Sequence, residues 1–366
     1  MLKDDKGIVL TLDAGGTNFV FGAIQGGEEI VGPIGLPSNG SDLALCTETL
    51  FKGFQEVIKQ LTEKPVAISF AFPGPADYPN GIIGDLWNLP GFRGGVPLKA
   101  ILENHFNMPV FINNDGDLFA YGEAIAGILP EVNAELEKSG STKRYKNLIG
   151  VTLGTGFGGG IVLNGKLLVG DNSSAAEVWI MGNRNLPQSN AEEGISIRAV
   201  QRAYAYLAAD KNALELTPKD IFDIASGTKP GNKDAAIVAF EKLGHCLGDS
   251  LANLLTIVDG IAVIGGGLTG ASEFYMPAVM DELNNHFFIN AKGDKLNRIV
   301  QKVFNIDNPL QKTEFLKNYS KQVVVPGTDK KVFYDPVPRL AIATSKLGAS
   351  RAISLGAYAF ALDNLK

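Results

Sequence analysis

The chain has 366 residues and a formal net charge of −6, and hydrophobic residues make up 45% of it. This length is enough for two domains, because a single core stops growing at roughly 250 to 300 residues. Binding to a phosphate backbone needs clustered Lys and Arg, so the acidic balance argues against nucleic acid as a partner. Two distant cysteines and three scattered histidines favour neither a disulfide framework nor a Cys/His zinc site.

The N-terminal residues MLKDDKG lack the apolar segment of a secretory signal. No stretch of the chain approaches the ~18 apolar residues of a membrane span. We therefore expect a cytoplasmic protein with no membrane partner.

Strands separated by glycine turns open the chain. Residues 8–31 contain apolar, β-prone runs interrupted by glycines, which predicts strand, turn, strand, turn, strand. The same plan returns at 148–170, where Asn164-Gly165 is a strong hairpin turn. The sequence thus contains a weak internal duplication.

Helices and strands alternate between and after these two segments, which predicts an α/β fold. In chain order we predict a helix at 42–63, strands at 66–72 and 110–112, helices at 115–127, 197–208 and 234–256, a strand at 261–267 and a last helix at 350–362. Residues 128–147 are polar and predict a peripheral helix and loop. Residues 290–340 support no assignment.

Three glycine-rich loops have the composition of phosphate-binding turns: DAGGT at 13–17, GTGFGGG at 154–160 and IGGGLTG at 264–270. The second matches the dinucleotide pattern G-x-G-x-x-G, but that pattern requires a helix directly after the loop, and here a hairpin follows. One such loop alone would equally well be a structural turn. The three together predict a nucleotide held by backbone N–H groups, with Thr17 and Thr155 adding hydroxyl donors.

Asp13 places a carboxylate at the start of the first loop. A nucleoside triphosphate arrives with Mg²⁺, which prefers oxygen ligands and is held by one or two carboxylates and several waters. Asp13 is therefore the candidate Mg²⁺ ligand. The alternative is a turn aspartate that caps its own backbone.

Asp115 places a second carboxylate where the strand predicted at 110–112 passes into a helix. Phosphoryl transfer to an alcohol needs a base beside the attacking hydroxyl, and such a base contributes roughly 10²- to 10⁴-fold. Asp115 is the candidate for that base. The alternative is a helix N-cap, for which Asn114 or Asp115 would serve equally well.

Six motifs, in this order and at about this spacing, resemble those of the ROK sugar kinases, which belong to the sugar kinase, actin and heat-shock ATPase superfamily. They are DAGGT, FPGP at 72–75, WNLPGF at 87–92, NND at 113–115, GTGFGGG and IGGG. The resemblance covers residues 8–283 and the C-terminal LGASRAISLGAYAFAL. It implies an α/β, ribonuclease H-like (actin-like ATPase) fold with two lobes around an interdomain cleft. The implied lobes are 1–120 with 350–366, and 121–349.

The resemblance also implies a function, which is ATP-dependent phosphorylation of a hexose with Mg²⁺ as cofactor, by a homodimer. It implies that Asp115 is the catalytic base and a sugar ligand. The other implied sugar-binding residues are Gly74, Asn88, Asn114, Glu177 and Glu192. The implied ATP-binding residues are Gly15, Gly16, Thr17, Gly154, Thr155, Gly156, Gly265, Gly266 and Gly267. Glu193, next to Glu192, is an alternative for the second glutamate.

The chain departs from the zinc-containing members of this family at two places. Those members carry a histidine three residues after the first glutamate and a cysteine cluster before the second, whereas here Ile180 and GNRNLPQSNA stand there. We therefore expect no structural zinc site. The missing histidine also removes a sugar contact, so the alternatives to glucose are fructose and an N-acetylated hexosamine.

A non-catalytic sugar-binding regulator of the same family is the alternative to a kinase. Repressor members carry an N-terminal helix-turn-helix. Because the first predicted strand begins at about Ile8, we expect no such segment here.

Overall fold

Strands and helices alternate along the computed structural model, which describes residues 5–15, 17–74, 76–84 and 89–366. The strands are β1 Val9–Ala14, β2 Asn18–Gln25, β3 Glu28–Pro37, β4 Ala67–Ala71, β5 Ala76–Asp77, β6 Ile82–Ile83, β7 Val96–Pro97, β8 Val110–Asn113, β9 Leu148–Leu153, β10 Phe157–Leu163, β11 Lys166–Leu167, β12 Ile261–Gly265, β13 Phe287–Ile289, β14 Lys295–Asn297, β15 Lys302–Asn305, β16 Lys321–Val324, β17 Lys331–Tyr334 and β18 Arg339–Thr344. The helices are α1 Leu43–Ile58, α2 Leu98–Phe106, α3 Asp115–Ile125, α4 Ile128–Lys138, α5 Ile197–Leu207, α6 Pro218–Ser226, α7 Lys233–Val258, α8 Ser272–Asn284, α9 Pro309–Phe315 and α10 Ala349–Asn364. No helix of the described chain is long and apolar enough to cross a membrane.

The chain divides into two structural units. The first contains the residues up to 127 together with 160–176 and 347–366, and the second contains 128–159 and 177–346. The main difference from the lobes expected from the sequence is the segment 160–176, which belongs to the first unit. The reason is local packing, because β11 contacts α3.

The first unit contains a five-stranded sheet with the order β3-β2-β1-β4-β8. The first three strands form the antiparallel meander predicted for residues 8–31, whereas β1, β4 and β8 run parallel. Both faces of β1 are buried: Leu10 and Leu12 belong to the cluster that contains Phe54 of α1, and Val9 belongs to the cluster that contains Tyr358 of α10. Helices therefore cover both faces, as a parallel sheet requires.

Local sequence signals account for the ends of several elements. The side chain of Asp42 accepts hydrogen bonds from the N–H groups of Ala44 and Leu45, so α1 begins directly after an N-cap. Asn164 and Gly165 have φ values of 51° and 78°, which are the dihedral signs of a type I′ hairpin turn. The turn predicted between β10 and β11 is thus confirmed.

The second unit is built on four parallel strands in the order β9-β12-β18-β15. The predicted long helix is α7, which packs against α8. The helix expected to be peripheral, α4, buries Ile128, Leu129, Val132 and Leu136. Its polar composition reflects only its other face, so this helix is a packed amphipathic element.

Arg339 anchors the segment that the sequence left unassigned. Its guanidinium is fully buried and binds the Asp335 carboxylate at 2.8 Å. It also donates to two carbonyl oxygens at the end of α9, from Nε to Phe315 at 2.8 Å and from Nη2 to Lys317 at 3.2 Å. One buried side chain thus connects β18 to the end of α9.

We predict that Arg339→Met destabilises the protein by about 3–5 kcal/mol, because it leaves the Asp335 carboxylate buried without a counter-charge. Urea unfolding measures this difference. The double variant Arg339→Met/Asp335→Leu should be more stable than Arg339→Met alone. Lys317→Ala, which removes an exposed ion pair with Glu314, should leave the midpoint unchanged. Equal midpoints for Arg339→Met and wild type would contradict the prediction.

Candidate functional site

Backbone register aligns the ends of three parallel strands in the first unit. Asp13 of β1 pairs with Ala71 of β4, and Ala71 pairs with Asn113 of β8. The N–H of Phe72 then donates to the Asn113 carbonyl at 2.9 Å, so the ladder extends to the strand ends. Asp115 lies two residues beyond Asn113. The two candidate carboxylates therefore lie at the same carboxyl edge, where ligands of open α/β sheets bind.

Asn114 is the N-cap residue of helix α3. Oδ1 of Asn114 accepts a hydrogen bond from the N–H of Gly116 at 2.7 Å, and Asp115 Oδ1 accepts from the same N–H at 2.8 Å. The cap uses only the oxygen of the Asn114 amide. Its nitrogen, which is a donor, is not used in capping.

Desolvation raises the pKa of the Asp115 carboxyl above the usual value for aspartate. Asp115 is an exposed residue by its accessible surface, yet many protein atoms lie around its carboxyl group. The hydrogen bond from Gly116 lowers this pKa, whereas the negative charge of Asp13 raises it further. A carboxylate whose pKa lies closer to neutrality is a better proton acceptor, because a base works best when its pKa is near the working pH.

The other predicted residues of the first unit lie in loops at the same edge. Gly15 and Thr17 lie in the turn between β1 and β2, where the Thr17 carbonyl accepts from the N–H of Ser38 at 2.9 Å. Gly74 follows β4 by three residues. Gly16 and Asn88 lie outside the described residues, so their roles stay predictions.

Two glycine loops lie at the carboxyl ends of neighbouring parallel strands in the second unit. Gly154 follows β9, and Gly265 ends β12 in register with Thr152 of β9. Gly266 has φ +93°, and an added Cβ there would lie 2.3 Å from the Leu153 carbonyl oxygen. Only glycine fits this contact between the loops. As the sequence predicted, a strand follows residues 154–156, and a helix, α8, follows residues 265–267.

Glu192 contacts the loop that follows β9. Its Oε2 accepts a hydrogen bond from the backbone N–H of Phe157 at 3.0 Å, and its Oε1 accepts from Arg198 Nη2 at 2.5 Å. Arg198 Nη1 also donates to the carbonyl of Thr155 at 3.1 Å. Sequence reasoning missed Arg198, because no motif marks it. Its only signal is its place in the first turn of α5, six residues after Glu192.

The other two glutamates have different surroundings. Glu177 accepts a hydrogen bond from the indole N–H of Trp179. Glu193 is paired with Arg198 and Arg202, and hydrogen bonding from Arg198 lowers the pKa of the Glu193 carboxyl. Glu193 also lines a pocket of about 710 Å³ beside Cys246. Of the two adjacent candidates, Glu192 is therefore the one next to the glycine loop.

Hydrogen bonds organise the segment where zinc-containing members carry cysteines. Oδ1 of Asn183, a buried residue, accepts from the N–H groups of Asn185 and Leu186, each at 3.0 Å. Its Nδ2 donates to the Asn190 carbonyl at 3.2 Å, and Gly182 and Asn190 form an antiparallel bridge. In the part of the chain that the structure describes, no group of three His, Cys, Asp or Glu side chains could hold a metal ion.

Comparisons with known proteins agree with this arrangement. The ROK family model matches residues 9–311. A glucokinase from Halalkalibacterium halodurans is 27% identical over 301 residues, covering 75% of this chain and 84% of that protein. An N-acetyl-D-glucosamine kinase from Vibrio cholerae is 28% identical over 281 residues, covering 72% and 85%. The crystal structure of a glucokinase from Parabacteroides distasonis has a TM-score of 0.91 and 52% identity, and covers 99% of both chains.

The expected fold and activity class are both supported. Solved ROK kinases with the actin-like ATPase architecture share this chain's α/β fold, and the two relatives and the crystal structure named above are sugar kinases. The chain therefore belongs to the ROK family, and it is an ATP-dependent sugar kinase.

Proposed function

We propose that this kinase phosphorylates a hexose, with glucose as the preferred substrate and Asp115 as the general base. The observation that carries this proposal is the position of Asp115 at the carboxyl edge of the first sheet, with a raised pKa and a second carboxylate, Asp13, close enough to affect it. The 52% identity to a glucokinase over 99% of the chain supports glucose.

In the proposed reaction, Asp115 accepts the proton of the attacking sugar hydroxyl. The hydroxyl oxygen forms a bond to the γ-phosphorus of ATP on the side opposite the leaving group, and the bond from that phosphorus to the β–γ bridging oxygen breaks. ADP leaves with the electron pair of that bond. The proton remains on Asp115 until it is released to solvent.

Asp13 fits the role of a Mg²⁺ ligand. Asp13 is exposed and is the next-to-last residue of β1, and one carboxylate completed by waters is a donor set that this cation prefers. When bound, Mg²⁺ would neutralise charge on the phosphate oxygens. The carboxylate of Asp13 would then serve to hold the nucleotide, whereas Asp115 serves the sugar.

The remaining residues are proposed to bind substrate through hydrogen bonds. Amide and carboxylate groups suit sugar hydroxyls, which both donate and accept, and glycine backbone N–H groups suit phosphate oxygens. The proposed sugar-binding residues are Gly74, Asn88, Asn114, Glu177 and Glu192. The proposed nucleotide-binding residues are Gly15, Gly16, Thr17, Gly154, Thr155, Gly156, Gly265, Gly266 and Gly267.

A panel of sugars assayed with ATP and Mg²⁺ tests the proposal. We expect the highest kcat/KM for glucose, with fructose and N-acetylglucosamine as the informative alternatives. N-acetylglucosamine is the second candidate, because a Vibrio cholerae relative is a kinase for this sugar and Ile180 replaces a polar histidine. A higher kcat/KM for N-acetylglucosamine would select that candidate, and turnover of no sugar would refute both.

Asp115→Asn should lower kcat by roughly 10² or more, because it removes the base while keeping the size of the side chain. Calorimetry should show only a modest change in sugar affinity. In the wild type, kcat/KM should fall as the pH drops through the raised pKa of Asp115, because only the ionised carboxylate accepts the proton. The residual activity of Asp115→Asn should lack this acidic limb. A variant with near wild-type kcat would exclude Asp115 as the base.

Asp13→Asn is the matched comparison, because it neutralises the other carboxylate at the same edge. We expect it to raise the Mg²⁺ concentration needed for half-maximal activity and to weaken Mg²⁺-dependent ADP binding. Sugar binding without nucleotide should change little. An unchanged Mg²⁺ requirement would return Asp13 to the role of a turn residue.

The purified protein should contain no stoichiometric zinc, because structural zinc sites use Cys and His ligands that the segment 182–190 lacks. A chelator should leave the unfolding midpoint unchanged. By contrast, Asn183→Ala should cost about 1 kcal/mol, since it removes the hydrogen bonds that the Asn183 side chain accepts from the N–H groups of Asn185 and Leu186. Elemental analysis that finds about one zinc per chain would refute the prediction.

A further inference from the structure

A ring of contacts joins the glycine loop after β9 to an ion pair whose arginine also binds Glu193. The loop is residues 154–157, and the pair is Glu192 with Arg198. Both oxygens of the Glu192 carboxylate are engaged, one by Arg198 and the other by the N–H of Phe157. Arg198 returns to the loop through the carbonyl of Thr155. The ring closes within the second unit and holds the loop at two points of its backbone.

The backbone bonds decide which N–H groups of the loop can meet a phosphate. The N–H of Gly154 donates to the Gly156 carbonyl at 3.0 Å, and the N–H of Phe157 donates to Glu192. Among the described residues, the N–H groups of Thr155 and Gly156 have no hydrogen-bond acceptor. In a trans peptide the C=O and the following N–H point in opposite directions. Arg198 binds the Thr155 carbonyl, so the N–H of Gly156 points away from the Arg198 guanidinium.

The carboxylate of Glu192 lies directly against the loop. An added Cβ at Gly156 would lie 2.4 Å from Glu192 Oε2, so any larger residue there would displace the carboxylate. Arg198 holds that carboxylate with a charge-assisted hydrogen bond, which makes such a displacement costly. The glycine at 156 and the ion pair are therefore parts of one arrangement.

We propose that Arg198 is a positioning residue, which acts through Glu192 to hold the 154–157 loop in its phosphate-binding conformation. Because each carboxylate oxygen of Glu192 has a second lone pair, the same group can also accept a sugar hydroxyl. Sugar bound there favours the orientation of Glu192 that binds Phe157, and so favours the loop conformation that binds phosphate. Sugar and nucleotide then raise each other's affinity reciprocally. This inference rests on the proposed kinase function.

The test is Arg198→Gln, which removes the charge and the fork that binds Glu192 and Thr155 together. Losing a charge-assisted hydrogen bond should raise KM for ATP by about 10- to 100-fold. Sugar affinity without nucleotide should change much less. Calorimetry gives the ratio of the sugar affinity with ADP to the sugar affinity without ADP. In Arg198→Gln this ratio should fall towards one. Arg198→Lys keeps the charge but not the planar fork, so we expect only partial recovery.

Arg202→Gln is the matched control. Arg202 lies one turn further along α5 and binds the backbone carbonyl and the carboxylate of Glu193 without contacting the loop. The KM of the Arg202→Gln enzyme for ATP should stay within about twofold of the wild-type value. If Arg198→Gln and Arg202→Gln raise KM for ATP equally, the ion pair is merely structural and the proposal is overturned. Wild-type ADP affinity in Arg198→Gln would overturn it as well.

A second variant and a binding measurement test the proposal if Arg198→Gln does not fold or if the sugar panel shows no turnover of a hexose. If Arg198→Gln does not fold, Gly156→Ala takes its place, because its methyl group should push Glu192 off Phe157 and raise KM for ATP in the same way. Wild-type KM in a folded Gly156→Ala would refute the proposal. ADP calorimetry needs no turnover, so a loss of ADP affinity in Arg198→Gln would support the loop inference even if the sugar panel refuted the hexose.

Discussion

Parallel strand pairing is the constraint on which the candidate site depends. Hydrogen bonding in register requires β1, β4 and β8 to end at one edge, so the backbone sets the positions of Asp13 and Asn113 and leaves Asp115 two residues beyond. The same rule in the second unit brings the loops after β9 and β12 together. The candidate site residues therefore lie in short loops at rigid strand ends, which is where ligands of α/β folds usually bind.

The charged groups at these edges are stabilised in opposite ways. Surrounding protein atoms and the negative charge of Asp13 raise the pKa of the Asp115 carboxyl. Glu193 is paired with two arginines, and its pKa is lowered. A raised pKa suits the proposed role of Asp115 as a base, because a carboxylate with a higher pKa accepts a proton more readily. A carboxylate such as Glu193, paired with two arginines, is instead favoured in its ionised form.

Much of the fold could be read from the sequence because its signals are local. The glycine turns near the N-terminus predicted the antiparallel meander, and apolar periodicity located α5 and α7. The signals failed where burial comes from distant residues. Residues 290–340 supported no assignment from the sequence, and Arg339 among them is fully buried because Asp335 and the end of α9 supply its partners.

The sequence by itself determined the local chemistry. Backbone preferences of single residues or short runs predict the Asn164-Gly165 turn and the glycine loops after β9 and β12. The end of the predicted strand places the Asp115 carboxylate two residues past β8. Only the tertiary structure decided that Arg198 reaches the Thr155 carbonyl and that Glu192, not Glu193, contacts the loop. These contacts join residues about forty positions apart. Their geometry depends on how α5 packs in the second unit, and no short sequence pattern encodes such a distance.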